Sequence, residues 1–477
     1  MDIPSTLPVN GDEKVQTLFN VKDRRFLFLI LLVAFLVGLR GIFHYGYIGQ
    51  DFPAHRSIIL GFPDSFSFRG TNPVGLYWLG SFIRQHITSA YYLETTAFVL
   101  LLLNLAALWY AYVLTWKTLS TQSLRFAAAA LITFVPFRVV HSIVIAGDAF
   151  SVPFFIFAAI LTLRLFEDPE ALINWVGLSL TLTISLLCKY TFCGILPPLG
   201  LIMLAAILPR IPARKWLRWL TVAGLSLALP SGLFLYEMHE SQKVDSYTTT
   251  THWLPPEAPS VMRWRDILLP QASDVGLLSA PQYFRDRLYE NRKYSYIGLV
   301  HIATFTDCLN YFQPPPQEIR TDWSARQQDD FQRKRGFYSR VVQRLSVRGS
   351  LPYTLMAITG TILCLLLSIP AILNRSTLIP KPAGLLCLLA VGFYSPILLS
   401  LPRIAEPYLA GYWLPRLIMP SLLVFLLLGF VLLEAMGARI DLIGKRIKTI
   451  NLVVLVYTTV ICVIFICFLS SPWTNSL

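Results

Sequence analysis

Charged residues are scarce in this chain. Only 14% of its 477 residues are Asp, Glu, Lys or Arg, while 55% are hydrophobic. Soluble proteins carry about 25% charged residues, so the composition excludes an ordinary soluble fold. It favours an integral membrane protein that crosses the bilayer many times and has membrane lipids as its surroundings.

Cysteine is also rare, and its arrangement excludes two further kinds of structure. The chain has seven cysteines, most of them inside apolar stretches, and Cys308 stands alone in a polar segment. Cys188 and Cys193 are too close in sequence, at the end of a helix, to favour a pair, so we expect no disulfide framework. No Cys-x-x-Cys or His-x-x-x-His spacing occurs, which argues against a zinc site.

The surplus of basic residues has a simple explanation in a membrane protein. Lys and Arg number 40 against 27 acidic residues, a net charge of +13. Lys and Arg mark cytoplasmic loops, and with a cytoplasmic N-terminus the strongest basic clusters all fall in inner loops. Anionic lipid headgroups then account for the charge without a nucleic-acid partner. The inner clusters are Lys117 with Arg125, residues 210–218, Arg375 with Lys381, and residues 439–448.

Long apolar runs are abundant. A membrane-spanning helix needs about 20 apolar residues, and about eleven stretches qualify. The predicted fold class is therefore an all-α polytopic membrane protein with a long outer-face loop. The predicted spans are 26–44, 93–115, 126–145, 151–166, 171–187, 193–208, 217–236, 351–373, 383–401, 419–437 and 449–470.

These spans divide the chain into four parts. Residues 1–25 are predicted to form a cytoplasmic tail, and residues 26–236 a transmembrane catalytic module whose first outer loop is 45–92. Residues 237–350 are predicted to form a periplasmic or lumenal subdomain, because long loops cross the membrane regardless of their charge. Residues 351–477 are predicted to form the C-terminal transmembrane helices.

Two aspartates stand on the predicted outer face, each at the mouth of a span. Asp51 follows the first span, with His55 one helical turn later if this stretch is helical. Asp148 lies in a Gly-Asp turn between two later spans. Carboxylates at membrane depth are costly and tend to be functional. The competing interpretations are a solvated loop residue or a helix cap at Asp51, and a helix N-cap at Asp148.

Three cations share this outer face. Lys189 follows an apolar span, Arg138 lies near the outer end of another, and Arg69 precedes an aromatic segment of the first outer loop. Long basic side chains near helix ends often reach for the interface without a specific ligand. The alternative is that they bind a lipid phosphate, for which Lys and Arg are well suited.

Four short motifs occur in an order typical of one enzyme superfamily. The chain resembles the glycosyltransferase C superfamily, in the group that contains bacterial lipid A aminoarabinose transferases and protein O-mannosyltransferases. The resemblance covers residues 26–236 well and 383–437 loosely. A Tyr-x-x-Pro segment at residues 412–415 is similar to the start of a late span in that superfamily. The four motifs are Asp51, Pro73-x-x-x-Tyr77-Trp78, Asp148, and Leu187-Cys188-Lys189-Tyr190-Thr191.

Two departures from the superfamily pattern concern the first outer loop. Members often carry an Asp-Glu pair where this chain has Asp51-Phe52, and Lys-Pro-Pro where it has Asn72-Pro73-Val74. That lysine is the usual phosphate anchor of the superfamily. Without it, the candidates for holding the donor phosphate are Lys189, Arg69 and Arg138.

The resemblance implies transfer of a sugar from a polyprenyl-phosphate or dolichyl-phosphate donor to an acceptor glycan, lipid or protein on the outer or lumenal face. Asp51 is then the predicted general base that takes the acceptor proton. Asp148 is the predicted second catalytic carboxylate, which assists Asp51, orients the acceptor or binds a metal. The residues predicted to line the site are His55, Tyr77, Trp78 and His301.

No cofactor is required by this chemistry, although a divalent cation, Mg²⁺ or Mn²⁺, suits a pair of carboxylates. A bacterial plasma membrane is the expected location, with the endoplasmic reticulum as the alternative. The competing function is a transporter or a flippase of lipid-linked glycans, and a third is a non-catalytic scaffold. Transporters usually carry internal repeats, and no repeat is evident in this sequence.

Overall fold

The computed structural model describes residues 19–43, 47, 52–64, 74–244, 295–305, 343–373, 378–400 and 407–439, with the single positions 264, 265, 269, 375, 446, 449, 453, 454, 456 and 457. Within these residues the chain is helical and contains no strand. A helix pairs its own backbone N–H and C=O groups, for which the lipid interior offers no hydrogen-bond partner. The predicted all-α polytopic membrane fold is confirmed.

The α-helices are numbered in chain order. They are α1 (Val21–Phe43), α2 (Phe52–Gly61), α3 (Gly75–His86), α4 (Tyr92–Thr118), α5 (Gln122–Phe134), α6 (Pro136–His141), α7 (Ser151–Glu167), α8 (Leu172–Cys188), α9 (Leu196–Ile202), α10 (Trp216–Val244), α11 (Tyr296–Phe305), α12 (Gln343–Ile372), α13 (Lys381–Ser400) and α14 (Pro407–Gly437). Short 3₁₀ turns lie at Gly147–Phe150, Tyr190–Ile195, Leu208–Arg210 and Ala213–Lys215, and a π turn at Met203–Ile207.

Eight of the described helical segments are long and apolar enough to cross a membrane, and each matches a predicted span. The predicted span 171–187 corresponds to α8, which has 17 residues. The predicted span 449–470 lies almost wholly outside the described residues. The eight segments are Val21–Phe43, Tyr92–Thr118, Gly147–Glu167, Tyr190–Arg210, Ala213–Tyr236, Leu345–Ile372, Lys381–Leu399 and Ile418–Gly437.

The prediction of one continuous span over 126–145 is wrong. Two helices, α5 and α6, occupy this stretch, and Val135 between them has φ −55° and ψ 123°. Pro136 explains the break, because proline disfavours helical geometry in the residue before it. Residues 127–146 are all buried, so this apolar stretch packs inside the bundle instead of facing lipid.

Polar contacts join the predicted inner loops on one side of the bundle, which we call the basic face. It comprises residues 20–24, 117–125, 167–170, 210–215 and 434. Its contacts tie the start of α1 to α5, the end of α4 to the end of α7, and α14 to the start of α5. The pairs are Gln122 with Asp23, Lys117 with Glu167, Lys215 with Glu170, and Thr121 with Glu434.

The first outer loop contains two helices too short to cross a membrane, α2 and α3. His55 Nδ1 lies 3.0 Å from the Tyr77 hydroxyl, and Ile59 packs on Gly80. The contact moves forward along both helices, from His55 with Tyr77 to Ile59 with Gly80. The two helices therefore run in the same direction. They lie against the bundle at the end opposite the basic face, where α3 contacts α4 and α8.

The C-terminal helices close the bundle around the N-terminal module. α12, α13 and α14 pack on one another, and α13 and α14 also contact α7. The Ser421 hydroxyl of α14 donates to the Ala390 carbonyl of α13 at 2.7 Å. Phe155 of α7 meets Phe393 of α13 edge to face, with ring centroids 5.7 Å apart.

Candidate active site

Three segments that are far apart in sequence meet at the C-terminal end of α8. A Cβ atom on Gly75, at the start of α3, would lie 2.6 Å from Cys188 Sγ and 2.8 Å from the Leu187 carbonyl oxygen. A Cβ atom on Gly147 would lie 2.7 Å from the Cys188 carbonyl oxygen. No side chain fits at such distances. Glycine at both positions therefore lets α3 and the Gly147–Phe150 turn approach the end of α8.

Asp148 and Lys189 form an ion pair at this junction. Lys189 Nζ lies 2.7 Å from Asp148 Oδ1, and the two side chains are 13% and 4% exposed. Water screens such a pair poorly, and leaving either charge alone would be costly. The structure thus joins a residue predicted to be catalytic with one predicted to bind the donor phosphate.

The backbone around Asp148 explains its placement. Asp148 is the second residue of the Gly147–Phe150 turn, whose N-cap is Ala146, and the N-cap of α7 is Phe150. Neither N-cap makes a side-chain capping bond. Asp148 therefore does not occupy an N-cap position, and the competing interpretation of this residue as a cap finds no support.

Asp51, the predicted general base, lies outside the described residues. Tyr47, before it, is described at this same end of the bundle: its carbonyl oxygen accepts the Ile145 N–H at 3.0 Å, and its hydroxyl donates to Glu94 at 3.2 Å. The ring of Phe52, after it, lies 6.2 Å from the Tyr47 ring. Both described neighbours of Asp51 are buried and close to the loop that carries Asp148.

Three predicted lining residues belong to the α2–α3 pair. His55 and Tyr77 are buried and hydrogen-bonded to each other. Trp78 faces outward, 57% exposed, and stacks on Phe82 with ring centroids 5.5 Å apart. Tyr77 therefore lies on the inner side of α3, two residues after Gly75, whereas Trp78 lies on the outer side, as an aromatic residue at a membrane interface does.

Arg138, another of the predicted phosphate-binding cations, is less accessible than Lys189. Arg138 is buried in α6, and its Nε donates to the Thr133 carbonyl oxygen at 2.7 Å. This carbonyl is in the last turn of α5, where helices leave acceptors without a partner. Arg138 thus supplies a hydrogen-bond donor to the end of α5, at the break between α5 and α6. Arg69 lies outside the described residues.

His301 packs between α11 and α12. Its Nδ1 lies 2.7 Å from the Thr354 hydroxyl and its Nε2 lies 3.0 Å from the Val347 carbonyl oxygen. A carbonyl only accepts, so Nε2 carries the proton and Nδ1 accepts from Thr354. Both ring nitrogens are engaged by residues of α12. Burial lowers the pKa of His301 to about 4, against the opposing effect of the bond to Val347.

This pKa predicts a loss of stability in mild acid. The unfolded chain protonates His301 near pH 6.5, whereas the folded chain does so only near pH 4. The unfolded state therefore binds more protons between these values, and the free energy of unfolding falls as the pH falls, by on the order of 3 kcal/mol in total. Melting curves of the detergent-solubilised protein from about pH 7 to about pH 4.5 should show a smaller decline for His301→Gln. If the melting temperature of His301→Gln fell with pH as much as that of the wild type, His301 would not be the source of the acid sensitivity.

Arg56 is a cation that the sequence analysis did not single out. It lies on α2 beside His55, five residues after Asp51, and its side chain is partly exposed. Its Nε atom is buried, and among the described residues no atom hydrogen-bonds to it. Arg84, near the end of α3, has a similar Nε, but it lies about 14 Å along the helix from Gly75. The sequence signal that could have identified Arg56 is its position five residues after Asp51.

The described residues do not form a divalent cation site by themselves. Among them, no group of three or more His, Cys, Asp or Glu side chains lies together. Mg²⁺ and Mn²⁺ bind to several oxygen ligands, whereas the Asp148 carboxylate is already balanced by Lys189. No step of the chemistry below depends on a metal.

No protein-family model and no curated protein sequence matches this chain. A solved structure of the archaeal oligosaccharyltransferase AglB from Archaeoglobus fulgidus, in complex with an inhibitory peptide and a dolichol-phosphate, is similar. The identity is 13% and the TM-score 0.46, over 96% of this chain and 57% of that chain.

Two other structures of the Archaeoglobus fulgidus enzyme match at 12% identity with TM-scores of 0.45 and 0.44, over 94% of this chain. One is a complex with Zn and sulfate, and the other is tethered to an acceptor peptide. They are covered over 54% and 56% of their length, so this chain spans little more than half of that enzyme. Neither family nor activity follows from a likeness at this level.

Proposed function

We propose that this chain is an integral-membrane glycosyltransferase that moves a sugar from a polyprenyl-phosphate or dolichyl-phosphate donor to an acceptor on the outer or lumenal face. One observation carries the proposal. The start of α3, the Asp148 turn and the Lys189 segment, whose motifs resemble the glycosyltransferase C superfamily in that order, meet at the end of α8. We place the acceptor site and residues 237–350 on this side of the membrane, opposite the basic face.

The reaction is a single displacement at the anomeric carbon. Asp51 takes the proton of the acceptor hydroxyl while the acceptor oxygen forms the new bond to that carbon. The bond between the anomeric carbon and the phosphate oxygen breaks, and its electron pair leaves with the lipid phosphate. A phosphate leaving group needs no acid catalyst, but nearby cations stabilise its charge. The required parts are therefore one base and a cationic phosphate site.

The contacts of the candidate cations support one assignment of the phosphate-binding residues. The Lys189 ammonium is paired with Asp148, and the Arg138 Nε is bonded to Thr133. The Arg56 side chain is partly exposed, and no described residue hydrogen-bonds to its Nε, so its guanidinium can turn towards a ligand. We assign Arg56 as the first contact of the donor phosphate. Lys189 then joins by exchanging Asp148 for a phosphate oxygen, which frees the Asp148 carboxylate to orient the acceptor.

The replacement Arg56→Gln should weaken donor binding. Loss of a charge-assisted hydrogen bond costs about 1.5–3 kcal/mol, which corresponds to a rise in Kd of about 10- to 150-fold. Titration of the protein in nanodiscs with a polyprenyl phosphate measures this Kd. Arg84→Gln is the matched control, since Arg84 also has an unpartnered Nε but lies at the far end of α3. A similar loss of affinity in both variants would show a non-specific charge effect.

A donor-dependent transfer assay tests the proposed function. The purified full chain, reconstituted in vesicles, is given a polyprenyl phosphate carrying a radiolabelled sugar and a panel of glycan, lipid and peptide acceptors. We expect the label to move to an acceptor and free polyprenyl phosphate to be released in equal amount. If the intact lipid-linked sugar crosses the bilayer and no phosphate is released, the chain is a flippase and the proposal is wrong.

A further inference from the structure

Asn104 is a polar residue in the middle of the membrane-spanning helix α4, and its side chain is 3% exposed. Its Nδ2 atom lies within hydrogen-bond distance of three carbonyl oxygens, those of Leu100 at 2.9 Å, Ala149 at 3.1 Å and Ser142 at 3.4 Å. The amide has two N–H groups, so one of them is shared between two of these acceptors. All three neighbours are acceptors only, which fixes the orientation of the amide. The sequence analysis did not single out this residue.

Two of these carbonyls belong to the loop that carries Asp148. Ser142 caps the end of α6, and Ala149 directly follows Asp148 in the 3₁₀ turn. One amide group therefore holds both ends of loop 142–149. The middle of the loop is held by the bond from the Ile145 N–H to the Tyr47 carbonyl oxygen.

The buried threonines of α4 behave differently. The hydroxyl of Thr96 donates to the Tyr92 carbonyl oxygen, and that of Thr115 donates to the Ala111 carbonyl oxygen. Both bonds stay within one helical turn and connect nothing else. Asn104 reaches two backbone positions of another segment, so its contribution extends beyond the stability of its own helix.

We propose that Asn104 is a positioning residue of the transfer reaction. It holds loop 142–149 in the geometry that brings Asp148 to Lys189, and it acts through Asp148 without touching the substrate. The inference rests on the proposed function for its effect on turnover, whereas its effect on the loop does not depend on that function. A displacement of about 1 Å at a reacting group reduces turnover by about 100-fold.

The kinetic test is a double-mutant cycle on the full chain in nanodiscs. Asn104→Leu removes the amide, keeps the number of side-chain heavy atoms and has a higher helix propensity than asparagine. We expect kcat to fall by roughly 10- to 100-fold, with the KM for the donor nearly unchanged, and Asn104→Leu to add little to the loss caused by Asp148→Asn. Thr96→Val, which removes a buried bond of the same helix, should retain wild-type kcat. Equal losses from Asn104→Leu with and without Asp148→Asn would overturn the proposal, and so would a wild-type kcat.

A labelling test reports on the loop itself, with or without transfer activity. Ala146, in the middle of the loop, is buried. On a background free of native cysteines, A146C should react several-fold faster with a thiol reagent when Asn104→Leu is added, and at an unchanged rate when Thr96→Val is added. An unchanged rate in both overturns the proposal even if the chain transfers no sugar. If Asn104→Leu fails to fold, Asn104→Gln replaces it, because its longer amide cannot keep both loop bonds and the same outcomes apply.

Discussion

Replacement of Asp51 by asparagine is expected to reduce turnover by roughly 10²–10⁴. Asparagine keeps the size and hydrogen-bonding capacity of the side chain but cannot take the proton of the acceptor hydroxyl. The variant should still fold, insert into the membrane and bind a polyprenyl phosphate. Single-turnover measurements with saturating donor isolate this chemical step from binding.

Asp64 provides the matched control for this experiment. It is an exposed carboxylate just after α2, in the same outer loop as Asp51. Asp64→Asn should leave turnover close to that of the wild type, because a solvated loop residue contributes little. An Asp51→Asn protein that transfers sugar at near wild-type rate would exclude Asp51 as the base, even if the chain is a glycosyltransferase.

Replacement of Lys189 by methionine is expected to destabilise the protein as well as to weaken donor binding. Removal of one partner of a buried ion pair leaves an uncompensated charge and costs about 3–5 kcal/mol. In this protein the uncompensated group is the Asp148 carboxylate, which is 4% exposed. The change is measured as a fall in the free energy of unfolding, or in Tm, of the detergent-solubilised protein.

A double variant separates the two roles of Lys189. Lys189→Met with Asp148→Asn removes both charges and should recover most of the lost stability, whereas donor affinity should stay low. Lys117→Met is the control, since the pair of Lys117 with Glu167 on the basic face is 29% and 62% exposed and such pairs contribute about 0–1 kcal/mol. Equal destabilisation by Lys117→Met and Lys189→Met would contradict a special role for the buried pair.

Apolar runs predicted most of the fold. Helix length and hydropathy depend on local composition, so eight of the spans could be located without the structure. The stretch over 126–145 was misassigned because a helix buried in protein is as apolar as one buried in lipid. Only Pro136, which breaks it, distinguished the two cases.

Several residues of the candidate site could be predicted from the sequence, but the contacts between them could not. Asp148 and Lys189 were each identified from a motif, but nothing in the sequence showed that they would neutralise each other. Asn104 was missed because its partners are backbone carbonyls of a distant segment, which leave no sequence pattern. Arg56 was missed because a basic residue near the membrane interface usually reaches for water or headgroups without a specific ligand.

The contact between α14 and the start of α5 has a consequence for synthesis in the cell. Glu434 accepts the Thr121 N–H at 2.6 Å and the Ser120 N–H at 3.0 Å. It follows Thr121 by 313 positions in the sequence. During translation, these amides emerge long before their acceptor does. We therefore expect a ribosome-bound chain that ends before Glu434 to hold α5 and α6, and the loop with Asp148 that follows them, less firmly than the finished protein. Shortened forms that stop ahead of α14 are unsuitable as minimal enzymes, although all the described candidate residues except His301 lie in the first half of the chain.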